Sequence, residues 1–152
     1  MAIATFGAGC FWGVELTFSK LPGVLQTSVG YMGGHTDSPT YKEVCTDTTG
    51  HAEVVQVEYD PERIEYQRLL ATFFQSHDPT QYNRQGPDVG SQYRSAIFYH
   101  DDEQHAIARE MLKELKIALP VATKLEPAGT YWLAEDYHQK YLEKKGVTSC
   151  GI

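Results

Sequence analysis

The chain has few cysteines and few basic residues, and it lacks a long apolar run. Only Cys10, Cys45 and Cys150 occur in 152 residues. An odd, widely spaced set of three does not build a secreted disulfide framework, and it lacks structural zinc spacing. A reducing compartment is therefore expected, with the cytoplasm as the location. Lys and Arg number 13 against 20 Asp and Glu, for a net charge of −7. This argues against nucleic acid or a membrane surface as the main partner, since both recruit basic patches. No stretch approaches the ~20 apolar residues of a membrane span. The first residues show neither the basic n-region nor the cleavage site of a secretory signal. No repeat, low-complexity tract or linker interrupts the sequence. The expectation is one domain over residues 1–152, with a flexible tail at about 143–152.

What is present is ordinary in bulk and unusual in one place. Apolar residues make up 41% and charged residues 22%, enough for a core. The unusual stretch is Thr5-Phe6-Gly7-Ala8-Gly9-Cys10-Phe11-Trp12-Gly13-Val14-Glu15. Ala2 to Phe6 reads as a strand. Val14, Phe18 and Leu21 then follow helical spacing. Cys10 thus falls at a strand-to-helix turn, where N–H groups and the helix dipole favour thiolate over thiol. A lone cysteine is most often a small buried hydrophobe, but the Gly-Cys-Phe-Trp-Gly setting favours a reactive thiol. Phe11 and Trp12 supply an apolar wall beside the sulfur. Gly7-x-Gly9 with Gly13 does not fit the dinucleotide or P-loop spacings.

Strands are expected over Val24 to Tyr31, Glu53 to Tyr59, Ser95 to Tyr99 and Val121 to Pro127. Tyr66, Leu69, Leu70, Phe73 and Phe74 mark an amphipathic helix. A second helix opens at Asp101 and Asp102 and closes at Pro120, and a last one is expected over Ala134 to Lys144. Tyr41 to Val44 suggests a helical turn. His77 to Tyr93 reads as a long polar loop of the kind that carries function. Strands alternate with helices, so a two-layer α/β sandwich is expected.

Besides Cys10, chemistry concentrates in Gly50-His51-Ala52-Glu53, Thr40-Tyr41, the stretch from Asn83 to Ser95, the segment from Ala134 to Tyr141, and Cys150. His51-x-Glu53 matches part of the nucleobase deaminase pattern, but no Pro-Cys-x-x-Cys follows. A cysteine-dependent hydrolase pairing Cys10 with a histidine is the main alternative, but hydrolysis gives Cys150 no task. A non-catalytic binding module is another, but it leaves Glu53 unexplained.

Gly9-Cys10-Phe11-Trp12-Gly13 and Gly50-His51-Ala52-Glu53 together resemble the A-type peptide methionine sulfoxide reductases. So do Asn83-Arg84-Gln85-Gly86 with Gln92-Tyr93-Arg94-Ser95, and Ala134-Glu135 with Tyr137-His138-Gln139. The match runs from about Ile3 to Cys150. The resemblance implies an α+β fold: a ferredoxin-like, two-layer sandwich around a central mixed sheet. It implies reduction of the S epimer of methionine sulfoxide, peptidyl or free, to methionine. Cys10 matches the nucleophile and Glu53 the acid that protonates the sulfoxide oxygen. Tyr41 and Tyr93 match hydroxyls that hold this oxygen. Asp88 matches a carboxylate in the same pocket. Phe11 and Trp12 match the residues that take the substrate methyl group, and Cys150 the resolving cysteine. No bound cofactor or metal is implied. The reductant is external, thioredoxin or another dithiol, and a monomer is expected. The chain ends two residues after Cys150, so one disulfide without a relay is expected. Cys45 has no clear family role; a structural or bystander thiol is expected, with a redox role the alternative.

Overall fold

The computed structural model describes residues 2–115 and 121–144. Its strands are β1 (Ala2–Ala8), β2 (Val24–Met32), β3 (Ala52–Tyr59), β4 (Arg84–Gln85), β5 (Asp88–Val89), β6 (Ser95–Tyr99), β7 (Lys124–Pro127) and β8 (Trp132–Leu133). Its helices are α1 (Phe11–Ser19), α2 (Tyr41–Cys45), α3 (Tyr66–Gln75), α4 (Asp102–Glu114) and α5 (Tyr141–Lys144). Two 3₁₀ turns cover Ser91–Tyr93 and Asp136–His138.

The main sheet runs in the order β7-β6-β1-β3-β2-β8, and β4 and β5 form a small separate hairpin. β1 lies antiparallel between β3 and β6, and β2 lies antiparallel beside β3. The units β1-α1-β2 and β3-α3-β6 therefore interlock, each crossing over a strand of the other, as in a ferredoxin-like fold. β7 pairs parallel with β6 after α4, which makes the sheet mixed.

The helices cover one face because alternate strand positions are apolar there. Ala4, Phe6 and Ala8 of β1 and Val55, Val57 and Tyr59 of β3 meet Phe18 of α1 and Leu69, Leu70 and Phe73 of α3. Phe6 is at the centre of this cluster, stacked on Phe18, Tyr66 and Phe73 at 5.2, 6.1 and 5.2 Å. Phe6→Ala should cost about 3–5 kcal/mol in urea unfolding; a loss below about 1 kcal/mol would mean that its neighbours close the hole. The other face holds Met32, Ala52, Val54, Ala96 and Phe98, packed against Ala128 and Tyr131.

The structure corrects several expectations. The helix expected over Ala134–Lys144 is replaced by a 3₁₀ turn and the short α5. Its backbone is drawn off helical geometry by anchors distant in sequence: Lys140 has φ +53° and donates its N–H to Glu15 at 2.6 Å. The strand expected from Val121 begins only at Lys124. The polar loop contains the β4-β5 hairpin. Two residues make β8 too short to show a period. Pro120 and the tail with Cys150 lie outside the described residues.

Candidate active site

Four strand ends meet at one edge of the sandwich: the C-terminal ends of β1 and β2, and the N-terminal ends of β3 and β6. Cys10 follows β1 across Gly9, which has φ +93°. A Cβ there would come within 2.8 Å of the Gln85 side chain, so glycine serves both the turn and the close approach. Cys10 is the N-cap of α1 but makes no capping hydrogen bond.

The thiolate expected from this position is not its resting state. Burial pushes the Cys10 thiol up to about 12, and the charges of Glu53 and Asp88 add to the rise. The N–H groups of Trp12 and Gly13 pull the other way, as the helix start predicts, but desolvation outweighs them.

Glu53 occupies the next inward-facing position of β3 after Tyr59, Val57 and Val55, so the strand's alternation carries a carboxyl into the interior beneath α1. It is 1% exposed. Its Oε1 accepts the Phe11 N–H at 3.3 Å. Its Oε2 is buried and has no hydrogen-bond partner among the described residues. Burial raises its pKa to about 8, against the lowering effect of the Phe11 N–H, with Asp88 adding to the rise. Near neutral pH, Glu53 is therefore mostly a protonated acid.

Aromatic rings surround this pair. Phe11 lies 5.9 Å from Tyr31 and 6.5 Å from Tyr41. Trp12 stacks on Tyr141 at 3.9 Å and donates its indole N–H to Nδ1 of His138 at 3.0 Å. Burial lowers the His138 pKa, which keeps this nitrogen an acceptor. Tyr41 begins α2, which Thr40 and Glu43 close with a capping box. Its N–H and the Tyr31 hydroxyl both donate to the Glu135 carboxylate, each at 2.9 Å. Burial raises the phenol pKa of both Tyr41 and Tyr93. A hydrogen bond with Cys45 adds to it at Tyr41, and the Glu53 charge at Tyr93. Both hydroxyls thus keep their protons near neutral pH. Arg94 sets their frame: it donates to the carbonyls of Gly50 and Ser91, each at 3.0 Å, and pairs with Glu126 at 3.2 Å. This ties the segment before Glu53 to the turn carrying Tyr93.

Asp88 sits in the β4-β5 hairpin. With Cys10, Val14, Thr17, Ser76 and Gln85 it lines a largely apolar cleft of about 260 Å³. Glu53, Tyr41, Phe11 and Trp12 are not among its walls. Cys10 thus lines this cleft as well as neighbouring the aromatic wall, and Asp88 influences Glu53 through its charge. Cys45 is an exposed free thiol.

Sequence reasoning missed the anchoring roles of Glu135, His138 and Arg94. All three lie in motifs it singled out, but their partners are 94, 126 and 44 residues away. No local period encodes such contacts. Of the six histidines, His51 is engaged with Gly34 and Thr36, His77 with Phe73 and Ser95, and His100 with Thr5; His138 accepts from Trp12 within the aromatic wall, and its Nε2 is buried with no partner among the described residues. Among the described residues, no helix is long and apolar enough to cross a membrane, and no three His, Cys, Asp or Glu side chains are grouped to hold a metal ion.

A buried acid beside a cysteine at a helix start, walled by aromatics, defines a thiol-dependent oxidoreductase site. The family model for peptide methionine sulfoxide reductase matches residues 2–152. The peptide methionine sulfoxide reductase of Acidobacterium capsulatum is 54% identical over 156 residues, covering 100% of both chains. The reduced form of Mxr1 from Saccharomyces cerevisiae superposes with a TM-score of 0.85 at 40% identity, covering 95% of this chain and 86% of that one. Mxr1 in complex with Trx2 matches at a TM-score of 0.60 and 27% identity, covering 92% and 84%. The chain belongs to the peptide methionine sulfoxide reductase family, and is an oxidoreductase of that kind.

Proposed function

We propose that this enzyme reduces the S epimer of methionine sulfoxide, free or within peptides and proteins, through Cys10, Glu53 and Cys150. The observation that carries this reading is Glu53: a buried, protonated carboxyl beside Cys10 with one oxygen left unpartnered. A sulfoxide is a poor electrophile until its oxygen is protonated. The sulfoxide oxygen takes the place open at Glu53 Oε2, with the Tyr41 and Tyr93 hydroxyls donating to it as an oxyanion hole would. Phe11 and Trp12 hold the methyl group.

The proton count closes within the pocket. Glu53 gives its proton to the sulfoxide oxygen while the Cys10 sulfur attacks, and the thiol proton then restores the acid. The oxygen ends on Cys10 as sulfenic acid and methionine leaves. Both groups start neutral, so a desolvated site is never asked to hold two charges at rest. Cys150 then condenses with the sulfenic acid to a disulfide. An external dithiol reduces that bond by exchange. The yeast complex with Trx2 supports thioredoxin as this donor. The working form is a cytoplasmic monomer acting in protein repair.

The test is epimer-resolved. Enzyme with dithiothreitol is given each purified sulfoxide epimer of a blocked methionine, and methionine is followed by chromatography. The S form alone should be consumed, and turnover of the R form would overturn the assigned handedness. Cys150→Ser should complete one turnover and then stop when thioredoxin is the reductant. Undiminished thioredoxin-driven cycling would remove Cys150 from the mechanism.

A further inference from the structure

The cleft beside Cys10 holds none of the groups that grip the sulfoxide as derived above, yet Cys10 itself lines it. We propose that it is the docking groove for this chain's own C-terminal segment, Val147 to Ile152, when Cys150 attacks the Cys10 sulfenic acid. The proposal rests on the reading that Cys150 resolves.

Three observations carry it. The first is direction. Successive helix positions turn by about 100°, so Cys10, Val14 and Thr17 share one face of α1. Phe11, Trp12 and Glu15 point to nearly the opposite face, where the aromatic wall and its anchors sit. Displacement at sulfur is in line: the incoming thiolate must approach opposite the departing oxygen. That oxygen is held by Glu53, Tyr41 and Tyr93, none of which lines the cleft. The approach left to the resolving sulfur is through the cleft. The second is reach. α5 packs on α1, with Tyr141 stacked on Trp12 and Leu142 beside Leu16 and Ser19. Cys150 is six residues beyond Lys144, an extended reach of about 20 Å. Gly13, with no side chain, lies on α1 between Trp12 and the cleft, which gives a low crossing. The third is chemistry. The cleft is largely apolar, and Val147 and Ile152 flank Cys150 with apolar side chains.

The step balances. The Cys150 thiolate gives its electron pair to the Cys10 sulfur, so the S–S bond forms as the S–O bond breaks. The oxygen leaves with its pair, takes the Glu53 proton and departs as water. The proton shed by the Cys150 thiol returns the acid. Cys150 is oxidised and the Cys10 sulfur reduced.

To test this, reduced full-length enzyme is mixed with the S-sulfoxide of a blocked methionine, without external reductant, and quenched at set times. Methionine, dimedone-trapped Cys10 sulfenic acid and the Cys10–Cys150 disulfide are then counted by mass spectrometry. The set comprises wild type, Cys150→Ser, Thr17→Trp and Ser76→Trp; the last two fill the cleft from separate walls. Thr17→Trp and Ser76→Trp should release methionine at the wild-type rate but form the disulfide about tenfold more slowly or worse, as a tethered thiol loses its effective concentration. Wild-type disulfide rates in a folded cleft variant overturn the proposal. So does loss of the methionine burst in both folded variants, which would assign the cleft to substrate. Wild-type enzyme that retains sulfenic acid and forms no Cys10–Cys150 bond overturns the resolving role itself, a different pattern. Amide exchange on wild type needs no substitution: residues 14–17 and 85–88 should exchange more slowly in the disulfide form than in the reduced form, and equal rates count against docking.

Discussion

Glu53→Gln should slow methionine formation by ~10²–10⁴-fold while making the protein more stable. The glutamine amide is close in shape and its oxygen still accepts the Phe11 N–H, so the pocket geometry survives. What is lost is the proton. Wild-type activity should fall as pH rises through about 8, where Glu53 ionises, and the variant should lack that limb. An unchanged rate would remove Glu53 as the acid. The stability gain follows from the same group. Burial raises the folded-state pKa from 4.5 to about 8. Below the unfolded value both states hold the proton and no penalty exists. As pH rises toward about 8, the unfolded chain ionises freely while the folded one must keep the proton, so stability is lost. Glutamine has no proton to lose. The variant's advantage should be below about 1 kcal/mol at pH 5 and on the order of 4 kcal/mol at pH 8, read from urea midpoints. Equal gains at both values would mean that Glu53 is not held protonated.

Cys10→Ser should abolish turnover, by more than ~10⁴-fold, even with dithiothreitol in excess. Serine cannot supply the sulfur on which the sulfenic acid forms, and its hydroxyl is a far weaker nucleophile in the same desolvated position. Folding should not suffer. Cys10 caps α1 without using its side chain, and serine is among the preferred N-caps, so the variant should match wild type or gain up to about 1 kcal/mol. Calorimetry with the S-sulfoxide should still show binding, because the aromatic wall and Glu53 are untouched. Activity near wild type would end the assignment of Cys10.

Much of the sandwich was legible because alternation and helical spacing are local. Val55, Val57 and Tyr59 marked β3, and Tyr66 to Phe74 marked α3. The motifs singled out Cys10 and Glu53, and the structure joins the two stretches through the Phe11 N–H, one residue after Cys10, which donates to Glu53. Two things were not. The charge state of Cys10 depends on how much water the fold removes, and a helix start alone suggested the opposite. The segment from Glu135 to Lys140 read as a helix because Tyr137 and Tyr141 are one turn apart. Its conformation is set instead by Tyr31, Tyr41, Val29 and Glu15, which are distant in sequence.

Gln139 within that segment has an effect beyond the pocket. Its side-chain amide accepts the Val29 N–H and donates to the Val29 carbonyl, each at 2.9 Å. β8 pairs with β2 only at Gly30 and Tyr31, so one amide extends the cover where the pairing strand stops. An open strand edge recruits other chains into intermolecular sheets. The segment that anchors Tyr31, Tyr41 and Trp12 thus also closes a sheet edge, so a change that loosened it would expose strand β2 to pairing with other chains.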